Sequence, residues 1–290
     1  MPELSVLELA VLRRAWEREL TEAGVASPQA DVTWLLCHVL DTNPGALTLR
    51  ETISEADAAR VADLVARRAT RVPLQHLTGS QAFRLVELEV GPGVFVPRPE
   101  TELLAGWAVE QLQTVVAAGV TEPVVVDLCT GSGAIAKAIA TEVPQARVHA
   151  VELSEDAFAW ARKNLAGTGV DLRHGDMADA FDDLAGQVDV VVCNPPYIPL
   201  EAWESVAVEA RDHDPHLALF SGDDGLDAMR VLERRAALLL RPGGVVGAEH
   251  ADVQGESAPA VFVEAGRWAE VRDHADLAGR ARYLTARLAR

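Results

Sequence analysis

The sequence has few cysteines, and they are far apart. Cys37, Cys129 and Cys193 are the only three in 290 residues. Their odd number and wide spacing favour reduced, buried thiols over disulfides or a cysteine zinc site. The pair His213 and His216 has no third ligand near it in the sequence. We therefore predict no bound metal.

Positive charge is also scarce. The chain carries 26 Lys and Arg against 44 Asp and Glu, a formal net charge of -18. Such a field disfavours attraction to phosphate backbones, so we expect no direct nucleic-acid binding. Three arginines, Arg67, Arg68 and Arg71, do cluster near the end of a predicted helix. Cations in that position complement the helix dipole, and we expect them to need no partner.

Long apolar runs are missing as well. The stretch Val188–Cys193 is interrupted by Asp189 and is far shorter than the roughly 20 residues that span a bilayer. At the N-terminus, Glu3, Glu8 and Arg13 interrupt any stretch resembling a secretion signal. We expect a cytoplasmic protein without membrane association.

Helical patterns dominate residues 1–79. Ser5 and Glu8 form a capping-box pattern at the start of the first helix. Ser27-Pro28 begins a second helix, which Pro44-Gly45 is expected to end, and Ser54 begins a third. Because no catalytic grouping occurs here, we predict a small helical domain for substrate recognition or support.

The pattern becomes strand-like and then alternates between strands and helices. Residues 80–97 are predicted to form a β-hairpin linker that turns at Gly91-Pro92-Gly93. Residues 98–290 are predicted to form a doubly wound α/β domain. The seven predicted strands are Val124–Leu128, Arg147–Val151, Val170–Arg173, Val188–Cys193, Val245–Ala248, Ala269–Arg272 and Arg282–Thr285. The predicted helices between them are Ile135–Thr141, Glu155–Leu165 and Leu226–Leu240.

A glycine loop follows the first of these strands. Glycines at 131 and 133 let the backbone approach a ligand, which by itself is a weak signal. Asp127 distinguishes between two possible ligands of such a loop, a dinucleotide and S-adenosylmethionine. A carboxylate at this strand end repels a pyrophosphate and attracts the ammonium group of S-adenosylmethionine. Glu152, after the second strand, is placed to bind the ribose hydroxyls. Asp176, after the third, is placed to accept from the adenine amino group, although a helix cap or solvated loop explains it nearly as well.

The segment Asn194-Pro195-Pro196-Tyr197 follows the fourth strand. A planar amide or amine nitrogen is a poor nucleophile because its lone pair is delocalised. The Asn194 side-chain oxygen and the Pro195 carbonyl can both accept from such an NH2 group and orient it towards a methyl donor. Tyr197 is predicted to stack on the planar group. We therefore predict an S-adenosylmethionine-dependent N-methyltransferase that leaves S-adenosylhomocysteine as product.

With these motifs, the chain resembles the protein-glutamine N5-methyltransferases that modify the Gly-Gly-Gln loop of peptide-chain release factors. The resemblance covers nearly the whole chain. It is carried by 73–79, 95–102, the glycine loop, 194–197, Asp214-Pro215 and Gly225-Leu226. The run Pro97-Arg98-Pro99-Glu100-Thr101-Glu102 is the most discriminating part.

The resemblance implies a class I methyltransferase fold, a release factor as partner and glutamine as substrate. The predicted catalytic residues are Asn194, Pro195 and Tyr197, and the substrate-binding residues are Asn194, Pro195, Pro196 and Tyr197. The predicted cofactor-binding residues are Asp127, Cys129, Thr130, Gly131, Ser132, Gly133, Glu152, Asp176, Met177 and Asn194. Cys129 stands where the family usually has glycine, so we expect its backbone to avoid positive φ or the loop to shift slightly. His76 and Met177 replace residues that are usually aromatic.

Two other functions are compatible with parts of this pattern. A nucleic-acid methyltransferase acting on adenine N6 or guanine N2 would use the same Asn-Pro-Pro-Tyr chemistry, but the acidic charge disfavours it. A non-catalytic binding module with a degenerate nucleotide fold is disfavoured by the intact loop, acids and Asn194.

Overall fold

The structure, a computed structural model, describes residues 3–50 and 52–289 and divides into two units. The first unit comprises the chain up to Ser80 together with Ala207–His213. The second comprises Gln81–Val206 and the chain from Asp214 onward. The segment 207–213 therefore interrupts the sequence of the second unit but belongs to the first.

Helices around an apolar core build the first unit. Its buried side chains include Leu20, Leu35, Leu36, Val61 and Val65. The helices are α1 (Val6–Glu22), α2 (Pro28–Val39), α3 (Pro44–Leu47), α4 (Glu55–Ala69) and α5 (Leu74–Thr78), with α9 (Val208–His213) from the inserted segment. Two short strands, β1 (Glu3–Leu4) and β2 (Ile53–Ser54), pair antiparallel.

Helix starts were predicted better than helix ends. The Ser5 and Glu8 capping box is present, and the Ser54 side chain accepts from the Asp57 backbone at the start of α4. The prediction that Pro44-Gly45 ends the second helix is wrong, because α2 already ends at Val39. Pro44 instead begins α3, where proline is favourable in the first turn and Asn43 caps the helix.

The arginine cluster of the first unit does have partners, contrary to expectation. The buried Arg68 side chain donates to Asp31 at 2.7 Å and to Glu209 at 3.0 Å. Arg71 donates to Glu209 at 2.7 Å. Because buried guanidinium groups need compensating charge, these contacts hold α9 within the helical unit.

The second unit contains the predicted seven-stranded sheet. The strands are β5 (Val124–Leu128), β6 (Arg147–Glu152), β7 (Asp171–His174), β8 (Val188–Cys193), β9 (Leu240–Glu249), β10 (Trp268–Ala275) and β11 (Ala281–Leu288). Their order in the sheet is β10-β11-β9-β8-β5-β6-β7. The pairs β10–β11 and β11–β9 are antiparallel, and the other four pairs are parallel. The helices are α6 (Thr101–Ala117), α7 (Ala134–Glu142), α8 (Glu155–Asn164), α10 (His216–Leu219), α11 (Asp227–Leu239) and α12 (Ser257–Glu264), with 3-10 turns at Asp182–Leu184, Leu200–Ser205 and Asp252–Gln254. The predicted Rossmann-like α/β sheet is confirmed.

A hairpin is present, but it turns at a different place from the one predicted. Its strands are β3 (Ser80–Phe83) and β4 (Val86–Glu89), and Arg84 takes the left-handed backbone conformation between them, with φ of 50°. The predicted turn at 91–93 instead packs on α8, where Trp160 donates to the Pro92 carbonyl at 3.2 Å. In the part of the chain that the structure describes, no helix is long and apolar enough to cross a membrane.

Phe262 tests the packing of the sheet against α12. Its side chain is fully buried and its ring lies 5.1 Å from that of Trp268, centroid to centroid. We expect Phe262→Ala to lower the free energy of unfolding by about 3–5 kcal/mol, because it leaves a cavity. Val263→Ala is the matched control: Val263 is the next residue but 62% exposed, so a change within about 0.5 kcal/mol is expected in urea denaturation. Equal losses in the two variants would contradict this packing.

Candidate active site

The two predicted loops follow neighbouring strands. Strands β5 and β8 pair in parallel, with Leu128 opposite Cys193. The loop that begins at Cys129 and the segment that begins at Asn194 therefore leave the same edge of the sheet side by side. The chain continues from β5 to β6 on one side and returns to β8 on the other. Such a reversal of strand order forms the crevice in which open α/β sheets bind ligands.

The glycine loop has an unusual backbone. Cys129, Gly131 and Gly133 all have positive φ, at 66°, 58° and 86°. The expectation that Cys129 would avoid positive φ is wrong: the residue adopts the glycine-like conformation at a steric cost on the order of 1 kcal/mol. Its thiol lies 3.6 Å from the Met177 thioether sulfur, a contact that glycine cannot make. All three cysteines are free.

Asp127 lies beneath this loop and is fully buried. One carboxylate oxygen, Oδ2, accepts from the Thr130 hydroxyl at 2.6 Å and from the Ala136 backbone at 3.2 Å. The other oxygen, Oδ1, is buried without a hydrogen-bond partner among the described residues, and so is Ser132 Oγ. Burial raises the pKa of Asp127 to about 7, despite the hydrogen bonds from Thr130 and Ala136. A buried carboxylate with an unpaired oxygen suits a cationic ligand group.

Glu152 is fixed by the backbone around it. Its Oε2 accepts from the Gly131 amide and its Oε1 from the Ser154 amide, both at 2.8 Å. Burial raises the pKa of Glu152, against the effect of these hydrogen bonds. Asp176 is exposed, and its Oδ1 accepts from the Ala178 backbone at 2.8 Å, the arrangement of a local turn. Met177 is buried beside Cys129.

Two residues that were not predicted from the sequence as site residues, Thr101 and Glu249, form hydrogen bonds with the side chains of Asn194 and Tyr197. The Asn194 side-chain Nδ2 donates to the Thr101 hydroxyl at 3.4 Å, and Thr101 donates to Glu249 at 2.7 Å. Tyr197 also donates to Glu249, at 3.2 Å. Burial raises the pKa of Glu249 to about 7, although Thr101, Arg282 and Tyr197 oppose this shift. Burial, followed by the charge of Glu249, raises the pKa of Tyr197.

A signal for Glu249 was present in the sequence. It is a carboxylate at the end of an apolar strand, the same feature that singled out Asp127 and Glu152. Thr101 gave no such signal apart from lying in the resemblance motif. Other parts of that resemblance also meet in space, since Arg98 donates to the buried Asp214 at 2.7 Å.

The structure shows why Gly225, in another motif of the resemblance, has to be glycine. A Cβ at this position would collide with the Tyr197 carbonyl oxygen, and Gly225 also has φ of 75°. The side chain of Gln254 donates to the same Tyr197 oxygen at 3.0 Å. The Tyr197 backbone is thus fixed by a close glycine contact and by a side-chain hydrogen bond.

Known proteins share both parts of this architecture. Residues 12–79 match the PrmC N-terminal domain, and residues 125–213 match a methyltransferase domain. A release factor glutamine methyltransferase of Streptomyces coelicolor is 58% identical over 98% of this chain and 99% of its own. The chain belongs to the release factor glutamine methyltransferase family. The resemblance inferred from the motifs and the predicted methyltransferase fold are therefore confirmed.

Two further relatives are similar to this chain over most of its length and have different names. A release factor glutamine methyltransferase of Mycolicibacterium smegmatis is 45% identical over 93% of this chain and 95% of its own. A 4-amino-L-phenylalanine/4-methylamino-L-phenylalanine methyltransferase of Streptomyces pristinaespiralis is 44% identical over 86% of this chain and 85% of its own.

Asp127 is predicted from the sequence to bind the ammonium group of the cofactor, and its raised pKa would then make cofactor binding depend on pH. Below pH 7 the carboxyl is mostly protonated and cannot attract an ammonium group, whereas above pH 7 it is charged. We expect the Kd for S-adenosylhomocysteine to be about tenfold higher at pH 6 than at pH 8, because binding to the charged form is linked to loss of one proton. Isothermal titration calorimetry across this range checks the slope.

The variant Asp127→Asn is the control for this slope. It keeps the shape of the side chain but has no proton to lose, so binding should be weaker at every pH and depend less on pH. An unchanged slope in the variant would mean that Asp127 does not bind the ammonium group.

Proposed function

We propose that this protein transfers a methyl group from S-adenosylmethionine to the side-chain N5 of the glutamine in the Gly-Gly-Gln motif of peptide-chain release factors. Membership of the family supports the reaction and the substrate. The structural observation that carries the proposal is the parallel pairing of β5 with β8, since it brings the glycine loop and Asn194 to adjacent strand ends.

The residues around the glycine loop suit the cofactor. We assign the unpaired oxygen of Asp127 to the ammonium group and Ser132 to the polar end of the same methionine moiety. Glu152 retains lone pairs for the ribose hydroxyls. Asp176 and Met177 are proposed to contact the adenine. Cys129, Thr130, Gly131 and Gly133 shape the loop, and Asn194 borders the cofactor from the neighbouring strand.

The residues of 194–197 suit a primary amide. Asn194 Oδ1 and the Pro195 carbonyl accept from the two N–H groups of the substrate amide, while Pro196 stiffens the segment and Tyr197 covers the planar group. Orientation of this kind can supply about 7–11 kcal/mol of the barrier. The cofactor supplies an electrophilic methyl group on a sulfonium. We propose that neither a metal nor a general base takes part, because the leaving group is a neutral thioether and the attacked nitrogen becomes acidic enough to release its proton to water.

We also propose a division of labour along the chain. Residues 1–79 recognise the release factor, 80–97 form the linker, and 98–290 carry the methyltransferase site. The net charge of -18 disfavours nucleic acid as a partner and so favours a protein acceptor. The reaction is proposed to take place in the cytoplasm. The relative named for 4-amino-L-phenylalanine makes a small aromatic amine the second candidate acceptor.

Labelled cofactor tests the acceptor directly. The protein is incubated with methyl-labelled S-adenosylmethionine and a purified release factor, and mass spectrometry locates the label. We expect one methyl group on the glutamine of the Gly-Gly-Gln peptide and none when this glutamine is replaced by alanine. Parallel reactions contain 4-amino-L-phenylalanine, RNA or DNA. Label in one of these, with an unmodified release factor, would overturn the proposal.

Asn194→Ala tests the role of the amide acceptor. We expect kcat to fall by about a hundredfold or more, as is typical when one preorganised polar group is removed from a reacting centre. The Kd for S-adenosylhomocysteine should change less than about threefold, because Asp127, Ser132 and Glu152 remain. Single-turnover kinetics and calorimetry measure the two quantities. Equal losses in both would assign Asn194 to cofactor binding instead.

A further inference from the structure

A chain of hydrogen bonds connects three elements next to residues 194–197, which are called the substrate segment below because of the function proposed for them. Thr101 is the first residue of α6, Glu249 is the last residue of β9, and Asn194 follows β8 directly. The Thr101 hydroxyl lies between the other two, 2.7 Å from Glu249 Oε2 and 3.4 Å from Asn194 Nδ2. The function proposed above uses Asn194 but gives no role to Thr101 or Glu249.

The direction of these hydrogen bonds follows from chemistry. An ionised carboxylate can only accept, so Glu249 requires the single proton of the Thr101 hydroxyl. Thr101 then has only lone pairs to offer Asn194, and the group facing it must be the amide NH2. The Asn194 carbonyl oxygen therefore points away from Thr101, at the opposite edge of the same planar amide group. The negative charge of Glu249, at one end of this chain of hydrogen bonds, thus fixes the position of the Asn194 acceptor oxygen at the other end.

This direction matters because an asparagine amide is nearly symmetric in shape. Its oxygen and nitrogen can exchange places by rotation with little steric change, yet only one arrangement suits a substrate NH2 group, which donates. The reversed arrangement would place NH2 against NH2, leaving the substrate misoriented. We propose, on the basis of the function proposed above, that Thr101 and Glu249 are positioning residues that hold Asn194 with Oδ1 towards the substrate nitrogen.

The surroundings of Glu249 support this role. Its two oxygens accept from Thr101 and Tyr197, so both polar side chains of the substrate segment depend on one buried carboxylate. The positive charge of Arg282 favours the ionised form, and Glu100 opposes it. Because the pKa of Glu249 is raised to about 7, kinetics should be measured at pH 8, where the carboxylate is charged.

Substitutions of Thr101 test the proposal. Thr101→Val has nearly the same shape but no hydroxyl, so Asn194 loses the partner that fixes its orientation. At pH 8 and saturating cofactor, we expect kcat for the Gly-Gly-Gln substrate to fall between tenfold and a hundredfold, on the order expected for one hydrogen bond to a charged network. Thr101→Ser keeps the hydroxyl and should retain kcat within about threefold. The Kd for S-adenosylhomocysteine should be unchanged in both variants.

The outcomes separate this inference from the proposed function. If the wild type does not methylate the Gly-Gly-Gln glutamine, the proposed function fails. If the wild type does so and Thr101→Val has the same kcat as Thr101→Ser, only the inference fails. A loss of cofactor binding equal to the loss of kcat would show a merely structural role and would also overturn it.

A second variant covers the case in which Thr101→Val does not fold. Glu249→Gln replaces one acceptor oxygen by an NH2 group that donates, so either direction of the hydrogen-bond chain becomes possible. We expect kcat to fall severalfold while the Kd for S-adenosylhomocysteine stays constant. A wild-type kcat in Glu249→Gln would show that the charge of Glu249 does not fix the direction, and would overturn the proposal.

Discussion

The parallel pairing of β5 with β8 is the constraint on which the site depends. Residues 129 and 194 are 65 positions apart in the chain, yet each follows a member of the pair Leu128 and Cys193. Both strands are fully buried, with alternate side chains packed in two different core clusters. A slip of one residue would exchange side chains between these two cores and disrupt the packing of both. The packing that stabilises the sheet therefore also sets the spacing between the two loops.

Three buried carboxylates lie at or next to the carboxyl ends of parallel strands. Asp127, Glu152 and Glu249 each have a pKa raised by burial, which means that folding works against their charge. Proteins seldom retain such groups without a use, and here each is held by hydrogen bonds from its own surroundings. Asp127 and Glu152 accept hydrogen bonds from the glycine loop, whereas Glu249 accepts one from Tyr197 in the segment 194–197. The same sheet edge thus provides charge to both sides of one crevice.

The sequence was sufficient for the sheet and for the two loops. All seven strands of the main sheet were predicted. The signal was clearest for β5 and β8, because buried parallel strands form apolar runs bounded by loop residues. Helix α6 was not predicted, since an apolar face of Leu and Ala is not distinctive in a chain so rich in both. The hairpin turn was misplaced because Gly91-Pro92-Gly93 is a strong turn signal, while Arg84 is an unusual residue at positive φ. Thr101 lies in the motif that carries the resemblance, but its hydrogen bonds to Asn194 and Glu249 could not be predicted, because both partners are remote in sequence.

Because Ala207–His213 belongs to the first unit, the helical unit cannot be separated from the rest of the chain by a single cut. Neither unit corresponds to one continuous stretch of the gene, because Glu209 lies within the sequence of the second unit but pairs with Arg68 and Arg71 of the first. A fragment ending at Ser80 would keep the buried Arg68 but lose one of its two carboxylates, at a cost of several kcal/mol. A replacement for residues 3–80 would therefore have to supply cations for Glu209 as well as a packing surface for α9.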